Sequence, residues 1–292
     1  MSTYDRIEDE DERVNAVPVP KHYEIEKYRS GLRYKAQSND IFIVTYPKSG
    51  TTWMETIVFG ILNNGQSFID DIDYYIKQTP FLDRSGQEDV KNMKRPGSIK
   101  THYRFDYVPY NKQSKYICII RNAKDVCISA YQYFINGVNS DYFDSNFENF
   151  FQKFINGQAL FGDYFEFLKA MWSHKDEENV LIISFEQMKK DLRNIIQQIG
   201  KFLHIELTDN IIEKILYHSS FNYMKENYDN ARNEYFAKHP EHPNAENHPM
   251  TLVRKGHHGQ WKTEMNNEQI QKLNEIIHEK TKDMIGLNLF FD

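Results

Sequence analysis

Apolar and polar positions follow two regimes along the chain. Short, nearly continuous apolar runs recur at Ile41–Tyr46, Tyr116–Arg121 and Asn179–Phe185, and Ser98–Thr101 is a further strand candidate. Runs of that length, rich in β-branched and aromatic residues, predict buried strands. Longer stretches with helical character lie between and after them: Thr51–Leu62, Asp125 to Ile135, Asn149–Lys175, 187–203, 208–217 and 267–284. Strands alternating with helices predict an α/β chain: a single domain with a mostly parallel central sheet flanked by helices. Residues 226–250 carry Asn, His and Pro with little periodicity. They predict a long loop, a candidate lid over a bound ligand. Leu287–Phe291 predicts a docked apolar tail. Residues 1–15 are charge-rich and predict a flexible acidic N-terminus, which leaves 16–292 as the folded domain.

A chain of 292 residues suffices for one large core. The net charge of -6 argues against a nucleic-acid partner, because phosphate-backbone binding needs a basic excess. Cys118 and Cys127 both lie in apolar stretches and predict buried free thiols. No apolar run approaches the ~20 residues that span a bilayer. The N-terminus lacks the basic start and apolar core of a signal peptide. The expectation is a cytoplasmic protein with no membrane partner. His239, His242, His248, His257 and His258 lack compact ligand spacing and predict ordinary loop histidines, so no metal is expected.

Chemistry concentrates at strand ends. Tyr46-Pro47-Lys48-Ser49-Gly50-Thr51-Thr52-Trp53 joins a strand to a helix. The first N–H groups of a helix lack internal acceptors, and the helix dipole favours an anion there. Gly50 permits close backbone approach; Ser49, Thr51 and Thr52 add hydroxyls; Lys48 adds charge. The stretch suits a phosphate or a sulfonate. It lacks the first glycine and the post-glycine lysine of a nucleotide-triphosphate P-loop.

Three further patterns join it. Arg121 ends a strand, and Ser129 follows eight residues on, about one turn inside the next helix, so both can meet one phosphate at the sheet's carboxyl edge. Arg254-Lys255-Gly256 sets two cations before a glycine in Arg254–Lys262, again a phosphate pattern. His102, directly after Lys100-Thr101, is a natural general base at neutral pH.

These four stretches, in this order, resemble those of the cytosolic sulfotransferases, enzymes that use 3′-phosphoadenosine 5′-phosphosulfate (PAPS) and release PAP. The likeness covers roughly residues 38 to 290. It implies a P-loop-kinase-like sulfotransferase fold and in-line transfer of a sulfuryl group to a hydroxyl, or an amine, of a small acceptor. It assigns His102 as general base, with Lys48 at the leaving oxygen, Lys100 at the sulfuryl oxygens and Ser129 restraining Lys48. Ser49, Gly50, Thr51, Thr52 and Trp53 are implied to cradle the 5′-phosphate. Arg121, Ser129, Arg254, Lys255 and Gly256 are implied to hold the 3′-phosphate. Trp53, Phe185, Ser220 and Phe221 are implied at the adenine; Phe185 stands where the family has tyrosine, so apolar contact is kept and a phenolic hydrogen bond is not. Gln260 replaces the family's usual aspartate.

Phe81, Tyr103, Phe105, Tyr107, Phe134, Tyr142 and Phe143 are candidate walls of an acceptor pocket suited to a hydrophobic or phenolic alcohol. After Lys262, Asn266, Asn267 and Gln271 replace the Thr-Val and Glu of the family's dimer motif, leaving monomer and dimer open. Two other functions share the fold: an ATP-dependent small-molecule kinase, and a non-catalytic nucleotide- or ligand-binding protein. The misplaced lysine argues against the first, and the set Lys48, Lys100 and His102 against the second.

Overall fold

The computed structural model describes residues 23–133, 135, 146–159, 161–242, 245, 252–253, 256 and 258–291. Four parallel strands form the sheet, in the order β2-β1-β3-β4. They are β1 (Ile41–Thr45), β2 (Ser98–Thr101), β3 (Lys115–Ile120) and β4 (Val180–Ser184). Register pairs Ile41 with Ser98 on one side and with Lys115 on the other; Tyr116 pairs with Val180. All four carboxyl ends therefore meet at one edge.

Both faces of the sheet are covered. Phe42 and Val44 join Tyr116, Cys118 and Ile120 in one apolar cluster, while Ile41 and Ile43 join Ile117, Ile119 and Ile183 in another. Period-2 alternation thus sends odd and even residues into different cores, and every position of β1 is buried. Cys118 and Cys127 are free and fully buried in the first cluster, and burial pushes both thiols up.

The helices are α1 (Ile25–Leu32), α2 (Thr51–Leu62), α3 (Ile72–Gln78), α4 (Leu82–Lys91), α5 (Ala123–Tyr133), α6 (Phe147–Ile155), α7 (Tyr164–Trp172), α8 (Phe185–Lys190), α9 (Leu192–Phe202), α10 (Asp209–His218), α11 (Phe221–Lys238), α12 (Trp261–Glu264) and α13 (Asn267–Thr281). A short 3-10 turn over Leu287–Phe290 docks the apolar tail, with Phe290 edge-on to Trp172.

Two expectations need correction. The stretch 149–175 is not one helix. Gly157, Phe161 and Gly162 all take positive φ between α6 and α7, and Asp163 caps the new helix through the N–H groups of Phe165 and Glu166. Residues 226–250 are not one loop either, because α11 runs on to Lys238. Its buried stripe is Met224, Tyr228, Arg232, Tyr235 and Phe236. An arginine in the middle of that stripe erases the apolar periodicity that marks a helix in sequence.

Candidate active site

Each strand delivers site residues just past its carboxyl end: the turn after β1, His102 after β2, Arg121 after β3 and Phe185 after β4. Chain order reverses direction between β1 and β3, the usual ligand crevice of an open parallel sheet.

The turn lies in that crevice. Lys48 has φ 70 and Gly50 has φ 111, so the chain passes twice through the left-handed region before α2 begins. A Cβ on Gly50 would sit 2.9 Å from the Phe185 ring. Glycine is required there by both backbone and packing. The Arg121 guanidinium donates to the Lys48 carbonyl at 2.9 Å and lies 4.1 Å from the Phe185 ring centroid. Trp53 meets Phe185 edge to face at 5.5 Å and donates its indole N–H to Ser219 at 2.8 Å. The Ser49 hydroxyl is fully buried and finds no hydrogen-bond partner among the described residues. A buried orphan of that kind calls for an outside partner. Thr52 sits half-buried in the first turn of the helix.

A second cluster surrounds His102. Its Nδ1 lies 2.8 Å from the Thr45 carbonyl oxygen. A carbonyl only accepts, so Nδ1 carries the proton and Nε2 is left with a free lone pair. The Thr45 hydroxyl is 3.1 Å from the same nitrogen and 2.6 Å from the hydroxyl of Thr51 in the turn. Asp83 fixes the backbone: it accepts from the His102 N–H at 2.7 Å and from the Thr101 hydroxyl at 2.6 Å. Burial lowers the imidazole to about 3, helped by the charges of Lys100 and Lys48 and opposed by the Thr45 bond. The ring is therefore neutral at pH 7. Phe81 and Phe161 flank it edge-on at 5.0 and 5.4 Å, and Tyr23 closes on both phenyl rings at 6.0 Å.

The lysines are held differently. Lys100 donates to both oxygens of the buried Glu55 carboxylate, at 2.9 and 3.1 Å, and sits 4.8 Å over the Phe81 ring. Burial lowers its pKa and Glu55 resists the shift. Lys48 Nζ lies 4.2 Å over the Tyr133 ring. Ser129, half-buried, stands one turn before Tyr133 on the same face of α5.

The third phosphate pattern is held from outside. Arg254 and Lys255 lie outside the described residues. Gly256 has φ 62, and a Cβ there would strike the Phe221 ring at 2.2 Å. Phe221 opens α11 behind Ser220, whose hydroxyl caps the helix by accepting from Tyr223 at 3.3 Å. Two carboxylates bracket the segment. Asp229 accepts from the N–H groups of Leu252 and Val253 at 2.9 and 3.2 Å. Asp125 accepts from Gly259 and Gln260 at 2.7 and 3.1 Å. Lys124 adds a contact 4.0 Å over Trp261.

Of the expected pocket residues, Phe81 is at the imidazole. Tyr103 and Phe105 are not. Tyr103 turns into the core and donates to the Tyr28 carbonyl at 2.7 Å. Phe105 packs 5.5 Å from Tyr116, at the amino end of β3, far from the carboxyl edge. Alternation along the chain after β2 turns Tyr103 away from the side that His102 faces. Phe134 and Tyr142 lie outside the described residues. Sequence reasoning missed Thr45, Glu55, Asp83, Asp125, Tyr133, Phe161 and Asp229. Glu55 alone left a signal, an acidic residue within an apolar helix start. Among the described residues no group of three metal-capable side chains gathers, and no helix is long and apolar enough to cross a membrane.

The model of the sulfotransferase domain family matches residues 38–285. Sulfotransferase 1 family member D1 of Mus musculus is 33% identical over 282 residues, spanning 93% of this chain and 94% of that protein. Sulfotransferase 1E1 of Bos taurus is 32% identical over 259 residues, 86% and 85% of the two chains. Among solved structures, mouse sulfotransferase SULT7A1 complexed with PAP superposes with a TM-score of 0.74 at 26% identity, covering 91% and 93%. Retinol dehydratase, in complex with androsterone and PAP, shares the fold with a TM-score of 0.71 at 20% identity, over 96% of each chain.

Proposed function

The chain belongs to the sulfotransferase family, and from that membership we propose that it transfers the sulfuryl group of PAPS to a hydroxyl of a small acceptor, with His102 as general base. The observation that carries the proposal is the Nδ1 contact to the Thr45 carbonyl, which leaves Nε2 unprotonated beside an anion-binding turn.

The site fits the cofactor on its own chemistry. The buried Ser49 hydroxyl without a partner, the left-handed Gly50 and the amino end of α2 suit the 5′-phosphate. Arg121, Ser129 and Gly256, with Arg254 and Lys255, are assigned to the 3′-phosphate, and Trp53, Phe185, Ser220 and Phe221 to the adenine. Ser220 would act through its place at the helix start, since its hydroxyl already serves as the cap. When bound, PAPS supplies the sulfuryl group and a phosphate leaving group.

The protein's own residues then have defined tasks. His102 Nε2 accepts the acceptor's hydroxyl proton, and the Thr45 carbonyl stabilises the resulting imidazolium through Nδ1–H. Asp83 keeps the backbone of His102 in place. Lys48 and Lys100 concentrate positive charge where transferred oxygens gather, at a buried site where such charge acts strongly. Phe81, Phe161 and Tyr23 exclude water and offer an aromatic wall to a phenolic or hydrophobic acceptor.

Thermal unfolding with PAP, with ATP as control, tests the cofactor. At a hundred times its dissociation constant PAP adds about 2.7 kcal/mol, which raises the midpoint by at least a few degrees, at about 2–4 °C per kcal/mol. A rise with ATP alone would favour a kinase. A rise with PAP but no turnover of PAPS with any phenol or alcohol would favour a non-catalytic binding protein.

A further inference from the structure

Glu55 is 1% exposed and lies one turn inside α2, next to the anion-binding turn. Lys100 belongs to β2, and register sets it beside Ile43, which joins Met54 and Ile57 of α2 in one apolar cluster. Paired strand residues share a face, so Lys100 lies on the α2 side of the sheet. There its ammonium donates to both Glu55 oxygens, at 2.9 and 3.1 Å. Among the described residues neither side chain has another hydrogen-bond partner. An ammonium has three N–H donors, so one is left over.

Stability is a weak reason for this pair. A buried ion pair is often no better than apolar residues of its size. A carboxylate one turn from an anion-binding turn also repels the anion. The surroundings offer a better reason. Lys100 stands two residues before His102. Its ammonium lies 4.8 Å over the Phe81 ring, which is 5.0 Å from the imidazole. Glu55 thus ties α2, whose amino end forms the anion site, to the strand that carries the base. Burial lowers the Lys100 pKa and Glu55 opposes the shift, while Arg232 from α11 and Arg84 from α4 add to it. Asp83 and His102 feel the Lys100 charge in turn.

We propose that Glu55 is a positioning residue that fixes the Lys100 ammonium beside His102 and keeps one of its N–H groups for a sulfuryl oxygen of PAPS. This rests on the sulfotransferase reading above. PAP lacks the sulfuryl group, so the contact separates the cofactor from its product. It also gives the pair a pH signature. With the Glu55 charge removed, burial and the two arginines lower Lys100 further. The ammonium is then lost as pH rises, and the hold on PAPS weakens with it.

The test is calorimetric titration of the full chain with PAPS and with PAP, at pH 7 and pH 9, with no acceptor present. Each variant is compared with wild type at the same pH. Glu55→Gln is expected to weaken PAPS a few-fold at pH 7 and about tenfold or more at pH 9, the size of a charge-assisted hydrogen bond. PAP is expected to bind as in wild type at both. Glu55→Asp keeps the charge on a shorter arm, so its smaller loss of PAPS affinity should not grow with pH. An unchanged PAPS affinity in Glu55→Gln overturns the proposal. So does an equal loss for PAPS and PAP, which marks damage to the turn, and so does a PAPS loss that is flat with pH. If Glu55→Gln does not fold, Glu55→Asp decides, and PAPS binding equal to wild type overturns the proposal. Wild type that binds neither PAPS nor PAP removes the sulfotransferase reading. Wild type that binds both, with PAPS binding unaltered in the variants, removes only the role of Glu55.

Discussion

The turn at 46–53 and the corner around His102 share one sheet edge but are built in opposite ways. The turn is contiguous: eight residues, two left-handed positions and the start of α2 make it, and Arg121 and Phe185 close over it. The corner is assembled from Tyr23, Thr45, Phe81, Asp83 and Phe161, residues spread far apart along the chain. An anion needs N–H groups in a fixed fan, which a short stretch of backbone can supply. A base needs a chosen tautomer and a dry pocket, which only neighbours from elsewhere can impose.

That contrast predicts separable losses. The largest is His102→Ala, expected to lower turnover about 10²-fold or more while the PAP-induced thermal shift stays as in wild type. A shift that fell along with turnover would show that the two regions are one unit. Next comes Gly50→Ala set against Asp125→Asn, compared by calorimetric titration with PAP. Alanine at a left-handed position costs about 1–2 kcal/mol, and its Cβ would press on Phe185. The affinity loss should be about tenfold, and larger than the few-fold loss from weakening the Asp125 clamp, which retains a neutral acceptor. The reverse order would mean that the turn adapts and the distant clamp governs.

The smallest effect concerns pH. The folded imidazole titrates near about 3, against roughly 6.5 when unfolded. Between those values the unfolded chain binds the extra proton, so His102 costs stability as pH falls from about 6.5. Urea unfolding at pH 7 and pH 5 should show a larger drop for wild type than for His102→Gln. Equal drops would mean that the ring is wet, and the dry corner would lose its distinction from the turn.

The same contrast explains what was legible in sequence. β1, β3 and β4 were, because each is a short, nearly continuous apolar run; β2 (Ser98–Thr101), with one apolar residue in four, was the weaker candidate. The turn was, because its backbone requirements are written in adjacent residues. His102 was visible only through its place after a strand. Thr45 and Asp83 were not, since nothing near either residue announces a bond to a histidine 57 or 19 positions away. Helix α11 was hidden by Arg232, a charge at a position where periodicity demands an apolar residue. Phe105 was drawn toward the site by proximity in sequence to His102, but the chain turns it back to the amino end of β3.

The Asp125 clamp also sets a clock. It ties residues 134 and 135 positions apart. During synthesis all four strands have left the ribosome once Ser184 emerges, and Gly259 follows about 75 residues later. At roughly 5–20 residues per second that is an interval of about 4–15 s. Through that interval a nascent chain can hold its sheet and its turn while the partners of the Asp125 carboxylate are still missing. Asp125 waits without its two backbone donors until well after the sheet is complete.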